Sequence, residues 1–331
     1  MYRLYAKLRN LRYHFCTANY DVIERYRSVL GGGYLQYVLC SWHYGASFED
    51  YYELGFYRMK ASQRRHWITT SLRHEITRQL NSETDALVLR DKKLFIDAFS
   101  KLLGRSTWCG EAVSGAIELD RPGNLVIKHR LGQAAQQIYF PETFLDRDQL
   151  LSYLDTLPGH RSDYVVEQFI DQHEEMARLD PTAVSTLRIV TLLKGESVDV
   201  FGVVLRMSTG ARVDNMEAGG IAAWVDLDGV VRKEAVFKDV LKSPVSVHPV
   251  SGEAIEGFQV PYFLEAVELA CSAARMIPTV RSVGWDIAIG PWGPCLIEGN
   301  DNWGKTVLQL PLGKGLRHLA DGVCDMTLVY R

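Results

Sequence analysis

Hydrophobic and polar positions follow two different periods along this chain. From the N-terminus to about Leu80 the pattern is helical, with few glycines and no proline, and Gly31-Gly32-Gly33 divides the segment in two. Ser47-Phe48-Glu49-Asp50 has the form of a helix start, a serine N-cap with acids in the first turn. Lys92 to Leu103 again has helical period, with Gly104 placed to cap it. Short strand-like runs follow (GAIEL, NLVIKHR, QQIYF, DYVVEQFI), with the helix-like FLDRDQLLSYLDTL between the last two. Beyond residue 185, β-rich segments (STLRIVTLLKG, VDVFGVVLRMS, GIAAWVDLDG) alternate with turns. PYFLEAVELACSAARMI reads as an amphipathic helix and SVGWDIAI-GPWGP-CLIEGN as a hairpin. Strands with irregularly interspersed helices predict an α+β fold with largely antiparallel sheets.

Composition narrows the class. With 331 residues, 47% apolar, 23% charged and a net charge of −3, the chain can bury a sizeable core, and disorder or collagen is excluded. No apolar run reaches the length of a membrane span, and MYRLYAKLRNLRYHF lacks the apolar segment of a signal peptide. Six cysteines (16, 40, 109, 271, 295, 324) without a CxxC pair argue against a zinc ribbon or disulfide framework, and imply buried thiols in a cytoplasmic protein. Charge is uneven: residues 1–80 carry a net +6 and 11 of the 16 tyrosines, so an acidic body follows a basic, aromatic unit. That unit reads as solvated arginine faces on packed helices, with contact to an anionic surface as the alternative. No nucleic-acid motif accompanies it. The glycine triplet is a poor phosphate loop, because no strand precedes it and no GK[ST] follows.

The hairpin carries the most chemistry. Its turn GPWGP centres on Trp292, and a symmetric turn sets Asp286 directly across from Glu298, with Asn300 on the same face. Two opposed carboxylates repel unless a cation lies between them, and two carboxylates with an amide suit Mg²⁺, which leaves room for nucleotide phosphates. A solvated acidic edge is the plain alternative. Lys128 interrupts the apolar run Leu125-Val126-Ile127, where phosphate oxygens would satisfy it unless it snorkels to solvent. Arg188 within Thr186–Val190 and Arg206 after Val203-Val204-Leu205 are candidates for anionic transition-state groups, or ordinary edge-strand arginines.

In order along the chain these segments resemble the ATP-grasp superfamily: DKKLFIDAFSKLLG, LVIKHR, YVVEQFI, STLRIVT, LRMSTGARVDNMEAGGI and GWDIAI…CLIEGN. FEDYY, HPVSGEAIEGFQVPYF, SVGWDIAIGPWGPCLIEGN and the basic N-terminus make the sugar-transfer-associated ATP-grasp group the nearer likeness. The resemblance implies an ATP-grasp fold, two α+β subdomains clasping ATP and magnesium (or manganese) between antiparallel sheets. The division expected is a helical unit over 1–84, a lysine-bearing small subdomain over 85–166 and a large subdomain over 167–331. By position Lys92 (or its neighbour Lys93) and Lys128 would contact phosphates, and Glu167, Gln168, Phe169 and Ile170 would hold adenine, partly through backbone groups. His173, Glu174 and Glu175 compete for ribose. Asp286, Glu298 and Asn300 would bind the metal, and Arg188 and Arg206 would face the transferred phosphoryl or acyl phosphate. Asn215, Gly219 and Gly220 would lie on the covering loop. One departure stands out: Leu131–Gln137, where the family has a glycine-rich loop over the phosphates, holds a single glycine.

The chemistry so implied is carboxylate–amine ligation through an acyl phosphate, on small-molecule acid and amine substrates, in cell-surface polysaccharide or secondary-metabolite biosynthesis. A kinase of the same fold and a non-catalytic nucleotide-binding protein are the alternatives, the second favoured only by the glycine-poor loop. No Ser-His-Asp set is evident, and His43, His66 and His129 read as packing or surface residues.

Overall fold

The computed structural model describes residues 2–110, 125–132, 137–141 and 147–321. GAIEL, residues 133–136 of the glycine-poor loop, and Cys324 lie outside these residues.

The first eighty residues are helical. They form α1 (Tyr2–Thr17), α2 (Tyr20–Leu30), α3 (Tyr34–Tyr44), α4 (Phe48–Glu53), α5 (Ala61–Arg64) and α6 (Thr70–Leu80). Gly31 ends α2 at φ +72° and Gly33 caps α3, so the glycine triplet is a helix–helix turn. Ser47 and Asp50 form a reciprocal capping box on α4: the Ser47 hydroxyl accepts from the Asp50 N–H at 3.1 Å, and the Asp50 carboxylate accepts from the Ser47 N–H at 3.0 Å. Asp50 is fully buried and reaches further, accepting from the Thr70 N–H at 2.7 Å and pairing with Lys305 at 2.5 Å. One carboxylate therefore ties α4 to α6 and to a C-terminal helix.

The body holds α7 (Leu87–Arg90) and α8 (Lys92–Phe99), then β1 (Thr107–Cys109), β2 (Leu125–His129), β3 (Ile138–Tyr139), α9 (Arg147–Leu154) and β4 (Tyr164–Gln168). α8 is shorter than the hydrophobic pattern predicts: it ends at Phe99, two loose turns follow, and Gly104 sits at φ +66° with Cys295 Sγ filling the space a Cβ would need. Strands β1, β4, β2 and β3, in that order, form a small antiparallel sheet. One face, bearing Leu125, Ile127, Tyr164 and Val166, packs on Leu150 and Leu154 of α9. The opposite face carries Val126, Lys128, Val165 and Glu167.

The large sheet contains β5 (Thr186–Lys194), β6 (Ser197–Met207), β7 (Ile221–Val225), β8 (Val236–Phe237), β9 (Ser282–Gly290) and β10 (Gly293–Asn300), in the antiparallel order β10-β9-β5-β6-β7-β8. α10 (Glu174–Leu179) and α11 (Phe263–Met276) precede its hairpin, and α12 (Lys305–Leu312) follows it. Apolar residues of α7, α8, α10 and α11 cover one face through Leu187, Ile189, Val203, Leu205 and Trp285. The other face, with Val190, Leu192, Val204 and Ala222, is covered by Leu72, Ile76 and Leu80 of α6 and by Trp303 and Leu308. Two features depart from the expected boundaries. Residues 87–99 pack on the large sheet, and β4 runs past the expected break at 166 to Gln168.

The N-terminal helices are thus part of the large sheet's packing. Gln309, fully buried on α12, accepts from the Ile68 N–H and donates to the Ile68 carbonyl, each at 2.9 Å. Ile68, Leu72, Ile76 and Leu80 each contribute roughly 2 kcal/mol of apolar burial. A chain beginning at residue 84 is expected to aggregate or lose its near-ultraviolet circular dichroism. A monodisperse product with the native spectrum would show that the helical unit is dispensable for packing.

Candidate active site

The site is built where polar residues replace apolar ones at the ends of central strands. On β5, β6 and β9, Arg188, Arg206 and Asp286 stand on the face that further along carries Val190, Val204 and Ala222. Asp286 is directly opposite Arg188 on one side and Glu298 on the other. Arg188 donates to both Asp286 oxygens, through Nε and, at 2.9 Å, through Nη2. Arg206 adds a donor to Asp286 at 2.8 Å and a second to Asp214 at 3.0 Å. All four groups are 8% exposed or less, so this is a desolvated network in which each charge has a partner. Burial alone would raise the Asp286 carboxyl, but the two guanidiniums hold it at about 2. The same two acids raise Arg206 against its own burial.

The 286–298 pairing forms as the hairpin predicts, by a different path. The turn is Pro291-Trp292, pairing Gly290 with Gly293, and a bulge between Leu296 and Glu298 inserts one residue before Glu298 meets Asp286. The cation that opposed carboxylates require is supplied on this face by Arg188 and Arg206. Burial, and then Asp286 alongside, push the Glu298 carboxyl up, and the two carboxyls share a hydrogen bond. Asn300 completes the row, donating to Glu298 at 3.2 Å and to the Gly284 carbonyl at 3.5 Å. Gly284 has to be glycine here, since a Cβ would lie 2.7 Å from Trp303 and 3.1 Å from the Arg188 side chain.

Across from this row, the face of the small sheet away from α9 presents Lys128 and Glu167. Lys128 Nζ donates to Glu167 at 2.7 Å, and Arg105 donates to the same carboxylate at 2.9 and 3.2 Å. Arg105 also donates to the Leu296 carbonyl at 2.5 Å, which bridges the two sheets. Lys128 is therefore neither snorkelling nor alone. Burial would raise Glu167, but Arg105 and Lys128 hold it at about 2. Of the two lysines opening α8, Lys92 turns inward and donates to the Gly132 carbonyl at 2.5 Å, whereas Lys93 pairs with Asp97 at 3.2 Å on the surface. Burial lowers Lys92, which also feels Glu298, Lys128 and Glu167. Asp91 caps α8 and pairs with Arg130, fixing the start of the helix beside β2.

The other expected residues divide. Glu167 turns its side chain to cations, and the Gln168 N–H is taken by the Ser106 carbonyl at 2.9 Å, leaving Phe169 and Ile170 half-buried beyond the strand. His173 caps α10 and accepts from the Glu175 N–H, Glu175 pairs with Arg178 at 2.8 Å, and Glu174 is exposed. Asn215 caps a short helical turn, and its carbonyl accepts from the Gly220 N–H at 3.0 Å. Gly219 and Gly220 line a cavity of about 510 Å³ against the N-terminal helices, apart from Lys128, Asp286 and Glu298. Two partners escaped the sequence reading, Arg105 and Asp214. Both sit in loops, where no periodicity marks an inward side chain.

Hard oxygen donors at Asp286, Glu298 and Asn300 fit magnesium in kind: two carboxylates and an amide in one row. Among the described residues no group of three His, Cys, Asp or Glu side chains gathers into a metal site.

The sugar-transfer associated ATP-grasp profile matches residues 126–325, and the chain belongs to that family. No curated protein matches the chain. Similar solved structures include an ATP-grasp superfamily protein from Archaeoglobus fulgidus, at 16% identity and a TM-score of 0.43 over 73% of this chain and 56% of that one. Others are an L-amino acid ligase from Bacillus licheniformis (15%, 0.39, 69% and 43%) and an N5-carboxyaminoimidazole ribonucleotide synthetase from Thermotoga maritima (14%, 0.38, 70% and 49%). The chain spans about half the length of these proteins. The fold is that of the ATP-grasp family the profile identifies, α+β with two antiparallel sheets. No described helix is long and apolar enough to cross a membrane.

The Glu167 cluster has a pH signature. Its carboxyl sits near 2 when folded against about 4.5 unfolded, so it stabilises the fold above pH 4.5, by roughly 3 kcal/mol, and that contribution disappears as pH falls towards 2. Replacing Lys128 with Met removes one of the two cations, so the acid-unfolding midpoint should move to higher pH while the fold persists at neutral pH through Arg105. An unmoved midpoint would mean Lys128 does not hold Glu167.

Proposed function

We propose that this protein is an ATP- and magnesium-dependent carboxylate–amine ligase that forms an amide through an acyl phosphate, in biosynthesis linked to sugar transfer. The observation carrying this reading is the facing of two charged sets. The start of α8 and the small sheet offer the cations Lys92 and Lys128, and the large sheet offers Asp286, Glu298 and Asn300 backed by Arg188 and Arg206. Family membership and the hard-oxygen donor row support ATP with magnesium over other reactants.

In this reading Lys92 and Lys128 hold phosphate oxygens, Lys128 from a position already fixed by Glu167. Gln168, Phe169 and Ile170 hold the adenine, and the ribose falls to the His173–Glu175 turn. Asp286, Glu298 and Asn300 would hold magnesium, which when bound supplies positive charge to the β- and γ-phosphates. Arg188 and Arg206 keep Asp286 ionised and still have N–H donors beyond those it occupies, which can face the transferred phosphoryl group. The acid's carboxylate oxygen bonds to the γ-phosphorus and ADP leaves. The amine nitrogen then attacks the acyl carbon, phosphate leaves, and the nitrogen loses a proton. No protein nucleophile is required.

Two measurements test the reading. Product analysis after ADP release should find a new amide joining an added acid to an added amine; a phosphorylated substrate alone would make the protein a kinase. Changing Glu298 to Gln keeps its shape and removes an acid whose charge is already disfavoured, so nucleotide-free melting should be equal or slightly higher while magnesium-dependent ADP release is abolished. A destabilised variant that still turns over would place the metal elsewhere.

A further inference from the structure

The cavity of about 510 Å³ lies between α2 and α4 of the N-terminal unit on one side and the loop of Gly219 and Gly220, with β8 and its following turn, on the other. Two chain connections join it to the charged row. Gly220 lies two residues before Ala222, which pairs across the sheet with Arg206, and Met216 of its lining packs in the same cluster as Ala222. Glu53 of its lining accepts from the hydroxyl of Thr306, on α12, the helix that follows Asn300 after a short loop. These links run from the cavity to β7, which pairs with the strand of Arg206, and to α12, although Arg206, Glu298 and Asn300 are not among its lining residues.

Its lining is charged, and nearly all of that charge is spent. Arg25 pairs with Asp239, Lys238 pairs with Glu217 at 2.5 Å, Lys242 lies over the Phe237 ring, and Glu49 accepts from the Asn19 N–H. Glu53 is the exception. It is only 6% exposed, yet its partners are distant: the Thr306 hydroxyl at 3.4 Å and Lys238 at 3.9 Å. A buried carboxylate with only long contacts on a cavity wall lacks a close cationic donor.

We infer that this cavity is the pocket for the amine substrate, a small molecule whose primary ammonium group is held by the Glu53 carboxylate. The inference rests on the ligase reading, because a second, amine-bearing substrate is what such a reaction needs beyond ATP and the acid. It also gives the N-terminal helices a role in choosing the acceptor. Burial pushes Glu53 up to about 7, so the carboxylate that an ammonium needs is half formed at neutral pH. Lys238 and Lys305 oppose that rise, while Asp50 and Glu49 add to it. Tyr26, pushed up to about 12, stays neutral beside it.

The test is calorimetric titration of the full, nucleotide-free chain with the standard amino acids and ethanolamine, each beside its N-acetylated form. At least one free amine is expected to bind, with the acetylated form tenfold weaker or more. Affinity should rise with pH through about 7, as Glu53 ionises. Glu53→Gln should weaken binding tenfold or more and flatten that pH dependence. Val22→Trp, which fills the cavity from α2, should also abolish binding, and it decides the matter if Glu53→Gln does not fold. Failure of every free amine to bind the wild type, or a bound amine indifferent to both changes, overturns the pocket. Product analysis separates the two readings: a phosphorylated substrate with no amide sinks the ligase reading, whereas an amide formed from an amine whose binding ignores both Glu53→Gln and Val22→Trp sinks the pocket alone.

Discussion

The rest of the site depends on one constraint: a carboxylate, Asp286, buried on β9, next to the edge strand of a six-stranded sheet. A charge there is tolerated only if neighbouring strands supply partners at fixed positions. Arg188 from β5 and Arg206 from β6 do so, with four donor contacts shared between Asp286 and Asp214. On the remaining side, burial and then Asp286 push the Glu298 carboxyl up, against the opposing pull of Arg188 and Lys128. The sheet thus presents one carboxyl held low by two guanidiniums next to one that burial pushes up.

The small sheet answers with the opposite sign. Its face away from α9 carries Lys128 locked to Glu167, and Arg105 spans from that carboxylate to the Leu296 carbonyl of the large sheet. Positive groups are thereby held towards the row without falling into it. Preorganisation of this kind matters because a lysine that must be fetched from solvent contributes less to binding phosphate than one already in place.

The N-terminal helices have a structural and a shaping role together. α6 completes the packing over one face of the large sheet, and Asp50 binds α4 to α6 and α12 through a single buried carboxylate. The same helices wall the cavity beside Gly219 and Gly220. A unit that cannot leave the sheet without uncovering it makes a rigid wall, which suits the selection of a small ligand.

Much of this was legible in the order of residues. Apolar, β-rich runs between turns marked β5, β6, β9 and β10, whose central strands are covered on both faces; hairpin symmetry marked Asp286, and charged residues in or beside apolar runs marked Lys128, Arg188 and Arg206, since burial makes such residues costly without a partner. Ser47 and Asp50 marked the start of α4, because capping is local. Three things only the tertiary structure decided. The partner of each buried charge came from across the fold: Glu167 turned out to hold Lys128, and Arg105 and Asp214 emerged from loops, where no period reveals which way a side chain faces. Lys92 was separated from Lys93 only by the packing of α8 on the large sheet. The pairing of Asp286 with Glu298 survived a turn placed half a residue from where symmetry puts it, because a bulge before Glu298 restored the register. Local spacing determines which residues share a face. Which charges meet depends on long-range contacts, and these are fixed only when the sheets close on one another.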